Sequence, residues 1–186
     1  FYFRIDTIML GVLASEREVG LYSVAFNLME GTFFIPTIVM AAIFPGLSQA
    51  KHFSAYFRKG VLLLTLSGIA GGSAVFLLAE WIINLFFAAE FQSSAEILQI
   101  LAFAIPLVFW GYLMTQSLVA LDHNRIYLGI TAGGVLLNVL LNFWLIPEHG
   151  ASGAAVATVI TEALIPFSCF LMILKHQLSS VPAHGA

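Results

Sequence analysis

The feature that most limits the fold of this chain is a series of long apolar stretches. They cover residues 19–45, 60–87, 96–121, 126–147 and 150–175. About 20 apolar residues in a helix cross the roughly 30 Å hydrocarbon core of a bilayer, and each stretch reaches that length. A shorter apolar segment, residues 1–14, opens the chain and would be about 21 Å long as a helix. The sequence therefore predicts an all-α integral membrane protein with six transmembrane helices, the first truncated at its start.

The connections between these segments are short and polar. They are residues 15–18, 46–59, 88–95, 122–125 and 148–149. Short connections force consecutive helices to run antiparallel. Only 9% of the residues are charged and the mean hydropathy is +0.98, whereas a typical soluble protein is about 25% charged. We expect residues 1–175 to form one six-helix transmembrane lobe and residues 176–186 to form a polar C-terminal tail.

Charged residues in the connections predict the orientation in the membrane. Basic residues occupy alternate connections and the start of the tail: Lys51, Arg58, Lys59, Arg125 and Lys175. The remaining connections carry mainly acidic residues: Glu16 and Glu18 around Arg17, then Glu90, then Glu148. Because basic residues in short loops stay in the cytoplasm, we expect the first set to face inward and the second to face outward.

Composition also excludes several classes of function. A net charge of −3 gives no concentrated basic surface, so we expect no nucleic-acid partner. The single cysteine, Cys169, lies in an apolar run without metal-ligand neighbours, and all five histidines fall in connections or the tail. The sequence therefore predicts no disulfide, no metal site and no cofactor.

Four ionisable residues fall near the middle of the predicted spans. Counted from the outer helix ends, Asp6 lies about 12 Å deep, Arg4 about 15 Å, Glu30 about 16 Å and Glu162 about 18 Å. Such residues are costly in a bilayer and usually face a bundle interior or a watery cavity. Ser23, Asn27 and Glu30 are spaced by four and three residues, so they form one polar stripe on the second span.

Each of these groups has a structural interpretation as well as a functional one. Arg4 and Glu30 could contact a substrate under the control of a protonatable acid, or form a permanent interhelical ion pair. Asn138 and Asn142 share one face of the fifth span and could simply join helices. Glu162 could hydrogen-bond near the carbonyl that a proline four residues later leaves unpaired.

Small residues and prolines predict close packing and kinks. Gly68 with Gly72, and Gly129 with Gly133, have the spacing that lets membrane helices approach closely. The last span has two such rows, Gly150/Ala154/Thr158 and Gly153/Ala157/Thr161. Pro36, Pro106 and Pro166 lie near the middles of three spans, where each removes a helical hydrogen bond and favours a kink.

Several motifs together resemble one transporter family. RIDTIMLG at residues 4–11, followed by EVGLYSVA at 18–25, is similar to the start of the second half of a polysaccharide-transporter flippase. FPGLS at 44–48, and IP at 146–147 followed by GASGAAVAT at 150–158, strengthen this resemblance. These are the O-antigen and exopolysaccharide flippases of the multidrug/oligosaccharidyl-lipid/polysaccharide exporter superfamily.

The resemblance implies a two-lobe fold around a central cavity, in which this chain is the C-terminal lobe. It implies a multi-pass protein of the cell (inner) membrane, with the bilayer, a lipid-linked oligosaccharide and a missing N-terminal lobe as partners. The substrate would be a polyprenyl-pyrophosphate carrying an oligosaccharide repeat unit, moved from the cytoplasmic to the outer leaflet by alternating access and coupled to an ion gradient. The family's cavity-lining helices carry over to Arg4, Asp6, Asn27 and Glu30 here, with Asn138, Asn142 and Glu162 as further intramembrane polar residues.

Other functions remain open from the sequence. Arg4 is the one cation among these cavity residues, which leaves room for a multidrug/cation antiporter or a peptidoglycan-precursor flippase of the same superfamily. A membrane-embedded glycosyl ligase or polymerase would need a large outer loop with catalytic residues, and the predicted outer connections are only a few residues long. We therefore expect a transporter and not an enzyme.

Overall fold

The computed structural model describes residues 5–49 and 51–179, and all regular secondary structure in these two ranges is helical. The α-helices are α1 (Ile5–Leu13), α2 (Glu16–Glu30), α3 (Phe34–Leu47), α4 (Phe53–Phe86), α5 (Ser94–Ala102), α6 (Ala104–Ala120) and α7 (Asn124–Ser179). Short 3₁₀ turns cover Gly31–Phe33 and Ala89–Phe91. Arg4 and residues 180–186 of the predicted tail lie outside the described residues.

Three helical stretches are long and apolar enough to cross a membrane. They are Glu16–Leu47, which joins α2 to α3, Phe53–Phe86, which is α4, and Asn124–Lys175, which is most of α7. A fourth crossing is obtained if the bent pair Ser94–Ala102 and Ala104–Ala120 is counted as one span. The lipid-facing character is clearest on α4, where large apolar side chains such as Leu62, Leu77 and Trp81 are exposed. The chain is thus a multi-pass membrane protein with three to four candidate spans among the described residues.

α6 lies at the centre of the helical core. Its Ile105, Phe109, Leu113 and Met114 side chains are fully buried. Glycines let α4 approach the start of this helix, because a Cβ at Gly68 would lie 2.8 Å from Pro106 Cα and one at Gly72 would lie 2.8 Å from the Ala102 carbonyl oxygen. The predicted close packing of this glycine pair is confirmed.

The kinks predicted at proline residues occur in one case as a sharp bend. Pro106 has no N–H to donate to the Ala102 carbonyl, and α5 and α6 meet at Phe103 with a bend of 42°. Upstream of Pro36 the helix tightens into the 3₁₀ turn Gly31–Phe33. At Pro166 the backbone dihedrals stay within the helical range, so the second half of α7 continues through this proline as one helix.

α7 is folded back on itself at Gly150, where φ is 53° and ψ is −134°. We call residues 124–149 its first arm and residues 151–179 its second arm. A Cβ at Gly134 in the first arm would lie 2.5 Å from Ile165 Cδ1 in the second, so the two arms pack side by side as a helical hairpin. In contrast, apart from the adjacent residues and turns of the same helix, no atom of the described chain comes within 4 Å of a Cβ built at Gly129 or Gly133, and close packing at that pair is not found.

Candidate functional site

Asp6 lies at the centre of a buried polar cluster. Only 3% of the Asp6 surface is exposed, although α1 is mostly apolar. The Tyr22 hydroxyl of α2 donates to Asp6 Oδ2 at 2.9 Å. The Thr158 hydroxyl of the second arm of α7 donates to the same oxygen at 2.8 Å, and the two hydroxyl oxygens are 3.1 Å apart.

The first arm of α7 completes the cluster. Asn142 Nδ2 donates to Asp6 Oδ1, and also to Asn138 Oδ1 at 2.9 Å. We call these residues the Asp6 cluster: Asp6, Tyr22, Asn138, Asn142 and Thr158. Side chains from α1, α2 and both arms of α7 therefore meet at one carboxylate.

The folding of two hairpins explains why these distant residues meet. Asn142 and Thr158 lie eight residues before and eight residues after Gly150, so a hairpin that turns at Gly150 brings them to the same depth. Eight residues correspond to about 12 Å of helix, which agrees with the depth expected for Asp6. The short turn between α1 and α2 likewise brings Asp6 and Tyr22 to the same depth. In this turn Ser15 accepts a hydrogen bond from the Glu18 N–H at 3.4 Å.

The charges in the cluster are not balanced by a basic side chain from the described part of the chain. Asp6 receives its hydrogen bonds from two hydroxyl groups and one amide, all of them neutral. Asn142 is fully buried, and its Oδ1 has no hydrogen-bond partner among the described residues. A buried polar atom left unpaired costs free energy, so the cluster has unused capacity to contact a positive charge.

Glu162 lies one turn beyond Thr158 on the second arm and is 7% exposed. It is close enough to Asp6 for the two carboxyl groups to interact electrostatically. Pro166 leaves the carbonyl of Glu162 itself without its helical donor, but none of the described residues forms a hydrogen bond with the Glu162 side chain. The structural hydrogen bond considered for Glu162 is therefore not observed.

Two other predicted cavity residues, Asn27 and Glu30, lie further along α2 than Tyr22. Asn27 is exposed and Glu30 is half-buried. Arg4 is outside the described residues, so its contact with Glu30 stays a prediction. Among the predicted cavity and intramembrane polar residues, hydrogen bonds thus link Asp6, Asn142 and Asn138.

Sequence reasoning missed Tyr22 and Thr158. Tyr22 is adjacent to the polar stripe at Ser23 but faces inward and is fully buried. Thr158 belongs to the row Gly150/Ala154/Thr158, which indicates close helix packing. Its position one turn before Glu162 on an apolar helix was the one signal that could have identified it.

A metal site built from several acidic, histidine or cysteine side chains is not formed in the part of the chain that the structure describes, because no group of three or more His, Cys, Asp or Glu residues converges there. The oxygen atoms of the Asp6 cluster come from one carboxylate, amides and hydroxyl groups, which are the ligand types that hard cations prefer.

Comparison with curated proteins finds membrane flippases and exporters. The chain is 27% identical over 97% of its length to the "Probable low-salt glycan biosynthesis flippase Agl15" of Haloferax volcanii, of which it covers 38%. It is 26% identical over 88% of its length to the "Probable flippase AglR" of the same organism, covering 36% of that protein. The "Probable multidrug resistance protein YpnP" of Bacillus subtilis is 26% identical over 94% of this chain, which covers 41% of it.

These matches concern part of a longer architecture, because the chain spans only about two fifths of the length of these relatives. No solved structure matches the chain significantly. The MatE family model matches residues 1–144, which include α1 to α6 and most of the first arm of α7. Since this match covers well over half of the 186 residues, the chain belongs to the MatE family of membrane exporters.

Proposed function

We propose that this chain is the C-terminal, six-helix lobe of a cation-coupled flippase. The whole protein moves a polyprenyl-pyrophosphate-linked oligosaccharide repeat unit from the cytoplasmic to the outer leaflet by alternating access between two lobes. Membership of the MatE family supports transport. Similarity to two proteins whose names include flippase, one of them for glycan biosynthesis, supports the lipid-linked oligosaccharide as substrate.

The observation that carries this proposal is the buried Asp6 carboxylate. Three other helical segments supply its hydrogen-bond donors, and all the donors from the described residues are neutral. Ionisable groups at membrane depth generally mark ion or substrate pathways. A carboxylate that only joined helices would be better stabilised by an arginine or lysine partner. A site that binds and releases a cation must instead leave the carboxylate without a permanent partner.

The cluster can take a cation with little rearrangement. Rotating the Asn142 amide by a half-turn exchanges Nδ2 for the unpaired Oδ1. Three oxygen atoms, from Asp6, Asn138 and Asn142, would then face one another and would repel unless a positive charge lay between them. A small cation would supply this positive charge, either as Na⁺ held by these oxygens or as H⁺ bound to Asp6.

Cation occupancy can act on the transport cycle through the helices that supply the ligands. A bound cation favours the arrangement in which α1, α2 and the α7 hairpin are together, because it interacts more strongly with that state. Asp6 and Glu30 lie on α1 and α2, which the family resemblance assigns to the cavity. We therefore propose that Arg4, Asn27 and Glu30 contact substrate on the same two helices that respond to the cation.

A second candidate function is export of hydrophobic organic cations. It is favoured by the similarity to the multidrug resistance protein of Bacillus subtilis. Both functions use the Asp6 cluster in the same way, but they differ in the compound that moves. An uptake assay that offers ethidium and lipid-linked oligosaccharide separately to the same proteoliposomes separates them, since we expect only the oligosaccharide to be moved.

The test of the proposal uses the full-length transporter in proteoliposomes. We expect flipping of lipid-linked oligosaccharide to depend on an imposed Na⁺ or H⁺ gradient, and Asp6→Asn to abolish that dependence while the protein still inserts and remains monodisperse. Asp122→Asn is the matched control, because Asp122 is exposed in the turn before α7. An Asp6→Asn variant that flips at the parental rate with the same gradient dependence would exclude this function for the cluster.

A further inference from the structure

A second carboxylate links α2 to the α7 hairpin at the end of the helices opposite to Glu30. Glu18 Oε2 accepts a hydrogen bond from the Ala151 backbone N–H at 2.7 Å, although the two residues are 133 positions apart. Ala151 is the first residue of the second arm, so its N–H has no helical partner of its own. Glu18 therefore caps the second arm from a different helix, where the helix dipole also favours a negative charge.

The corner at Gly150 is built to allow this contact. A Cβ at Gly150 would lie 2.5 Å from Glu18 Oε2, and φ of 53° would strain any residue with a side chain. Just beyond it, a Cβ at Gly153 would lie 2.5 Å from the Leu145 carbonyl oxygen. Two glycines thus let the arms close tightly and let the Glu18 carboxylate reach the backbone.

The same pair of helices carries two of the five residues of the Asp6 cluster. Tyr22 is one turn after Glu18 on α2, and Thr158 is two turns after Ala151 on the second arm. Their hydroxyl oxygens are 3.1 Å apart and both contact Asp6 Oδ2. The contact of Glu18 with Ala151 and the contact of Tyr22 with Thr158 are therefore successive contacts between α2 and the second arm.

We propose that Glu18 is a positioning residue for the cation site. By holding the start of the second arm against α2, it fixes the separation at which the Tyr22 and Thr158 oxygens meet Asp6. The inference rests on the proposed function, because it assumes that the Asp6 cluster binds a cation. It gives one physical role to two separate sequence motifs, residues 18–25 and residues 150–158, which meet at this contact.

The rival explanation is that the negative charge of Glu18 merely attracts cations toward the site. Two substitutions distinguish the effect of side-chain length at position 18 from the effect of its charge. Glu18→Gln keeps the length and a side-chain oxygen that accepts the Ala151 N–H, but removes the charge. Glu18→Asp keeps the charge and shortens the side chain by one methylene, so it no longer spans the distance to Ala151.

The experiment measures cation affinity in the purified full-length transporter. Bound cation raises Tm, so a NaCl titration at constant ionic strength with choline chloride, repeated at several pH values, gives the affinity for Na⁺ and for H⁺. We expect about tenfold weaker affinity for Glu18→Asp and Glu18→Ala, which corresponds to ~1.4 kcal/mol, and a change within about twofold for Glu18→Gln. Glu16→Ala, an exposed acid in the same turn of α2, is the matched control and should bind as the parent does.

Each outcome decides the proposal. If Glu18→Ala does not fold, the pair Glu18→Gln and Glu18→Asp decides it, because both are close in shape to the parent. If Glu18→Asp lowers Tm but leaves the cation affinity unchanged, Glu18 is only structural. If Glu18→Gln weakens the cation affinity and Glu18→Asp does not, the effect of Glu18 comes from its charge. Either result overturns the positioning role. If Asp6→Asn removes the cation response and the Glu18 variants keep it, this inference alone fails; if the parent shows no response, the proposed function fails as well.

Discussion

At the scale of single residues, the Asp6 cluster is a network in which a buried carboxylate depends on several neutral donors. Hydrogen bonds to a charged group contribute about 1.5–3 kcal/mol each, roughly twice the contribution of neutral ones. The Tyr22 hydroxyl is the donor that can be removed with least change in shape. Its contribution to stability is therefore measurable separately from that of the aromatic ring.

We expect Tyr22→Phe to lower the free energy of unfolding by about 1.5–3 kcal/mol, because Asp6 Oδ2 loses one of its two hydroxyl donors. Tyr127→Phe on α7 is the control, since the described residues form no hydrogen bond with the half-buried Tyr127 side chain. Loss of the Tyr127 hydroxyl group should therefore change the free energy of unfolding by less than about 0.5 kcal/mol. Unfolding of both variants in detergent, followed by circular dichroism, gives the comparison. Equal stability of the two variants would mean that the Tyr22 hydroxyl contributes nothing to the network.

At the scale of helices, the sequence predicts which residues lie at membrane depth and which consecutive helices form hairpins, but not how these hairpins pack against one another. Asp6, Asn138 and Asn142 are predicted because charges and amides are expensive in a bilayer. Hydroxyl groups on a helix can bond to their own backbone, as Thr161 does to the Ala157 carbonyl at 2.8 Å, so they give little signal in the sequence. The meeting of Thr158 with Tyr22 depends on the packing of α2 against the second arm of α7, two segments far apart in the chain, which spacing within each span does not predict.

Glycine pairs illustrate the same limit. Gly72 and Gly133 belong to pairs with the same spacing, yet Gly72 lies against the Ala102 carbonyl while Gly133 has no neighbour within 4 Å in the described chain. The sequence pattern is the same because spacing records only that two small residues share a face. Which of the two faces is covered is decided by the path of the other helices.

We expect Gly72→Ala to destabilise the protein by about 1–3 kcal/mol, because the new methyl group would lie 2.8 Å from a backbone oxygen that cannot move freely. Gly133→Ala is the matched control and should be neutral or stabilising by up to about 1 kcal/mol, through helix propensity. Thermal unfolding of the two variants in the full-length protein is the measurement. Strong destabilisation by Gly133→Ala instead would indicate that this face is covered by a part of the protein outside the described residues.

At the scale of the whole molecule, the proposed transport cycle requires a defined orientation in the membrane and a second lobe. The positive-inside pattern predicts that residues 46–59 lie in the cytoplasm and residues 88–95 lie outside. Ser54 and Ser93 are exposed positions in or next to these connections, so they can report orientation without disturbing the core.

We expect a cysteine at position 93 to react with a membrane-impermeant thiol reagent on whole cells and a cysteine at position 54 to remain unlabelled. Cys169 is replaced first, so that each protein has one reactive thiol in this chain. Permeabilised cells, in which both positions should react, are the control. Labelling at position 54 but not at 93 would reverse the orientation, and with it the direction in which the proposed site opens.

The central claim is that the Asp6 cluster couples cation entry to movement of a lipid-linked oligosaccharide. The direct test measures cation flux into proteoliposomes containing the full-length transporter, before and after the substrate is added. We expect substrate-dependent entry of Na⁺ or H⁺ in the parent protein, and none in Asp6→Asn. Substrate flipping without any accompanying cation movement, or parental flux in Asp6→Asn, would contradict this claim.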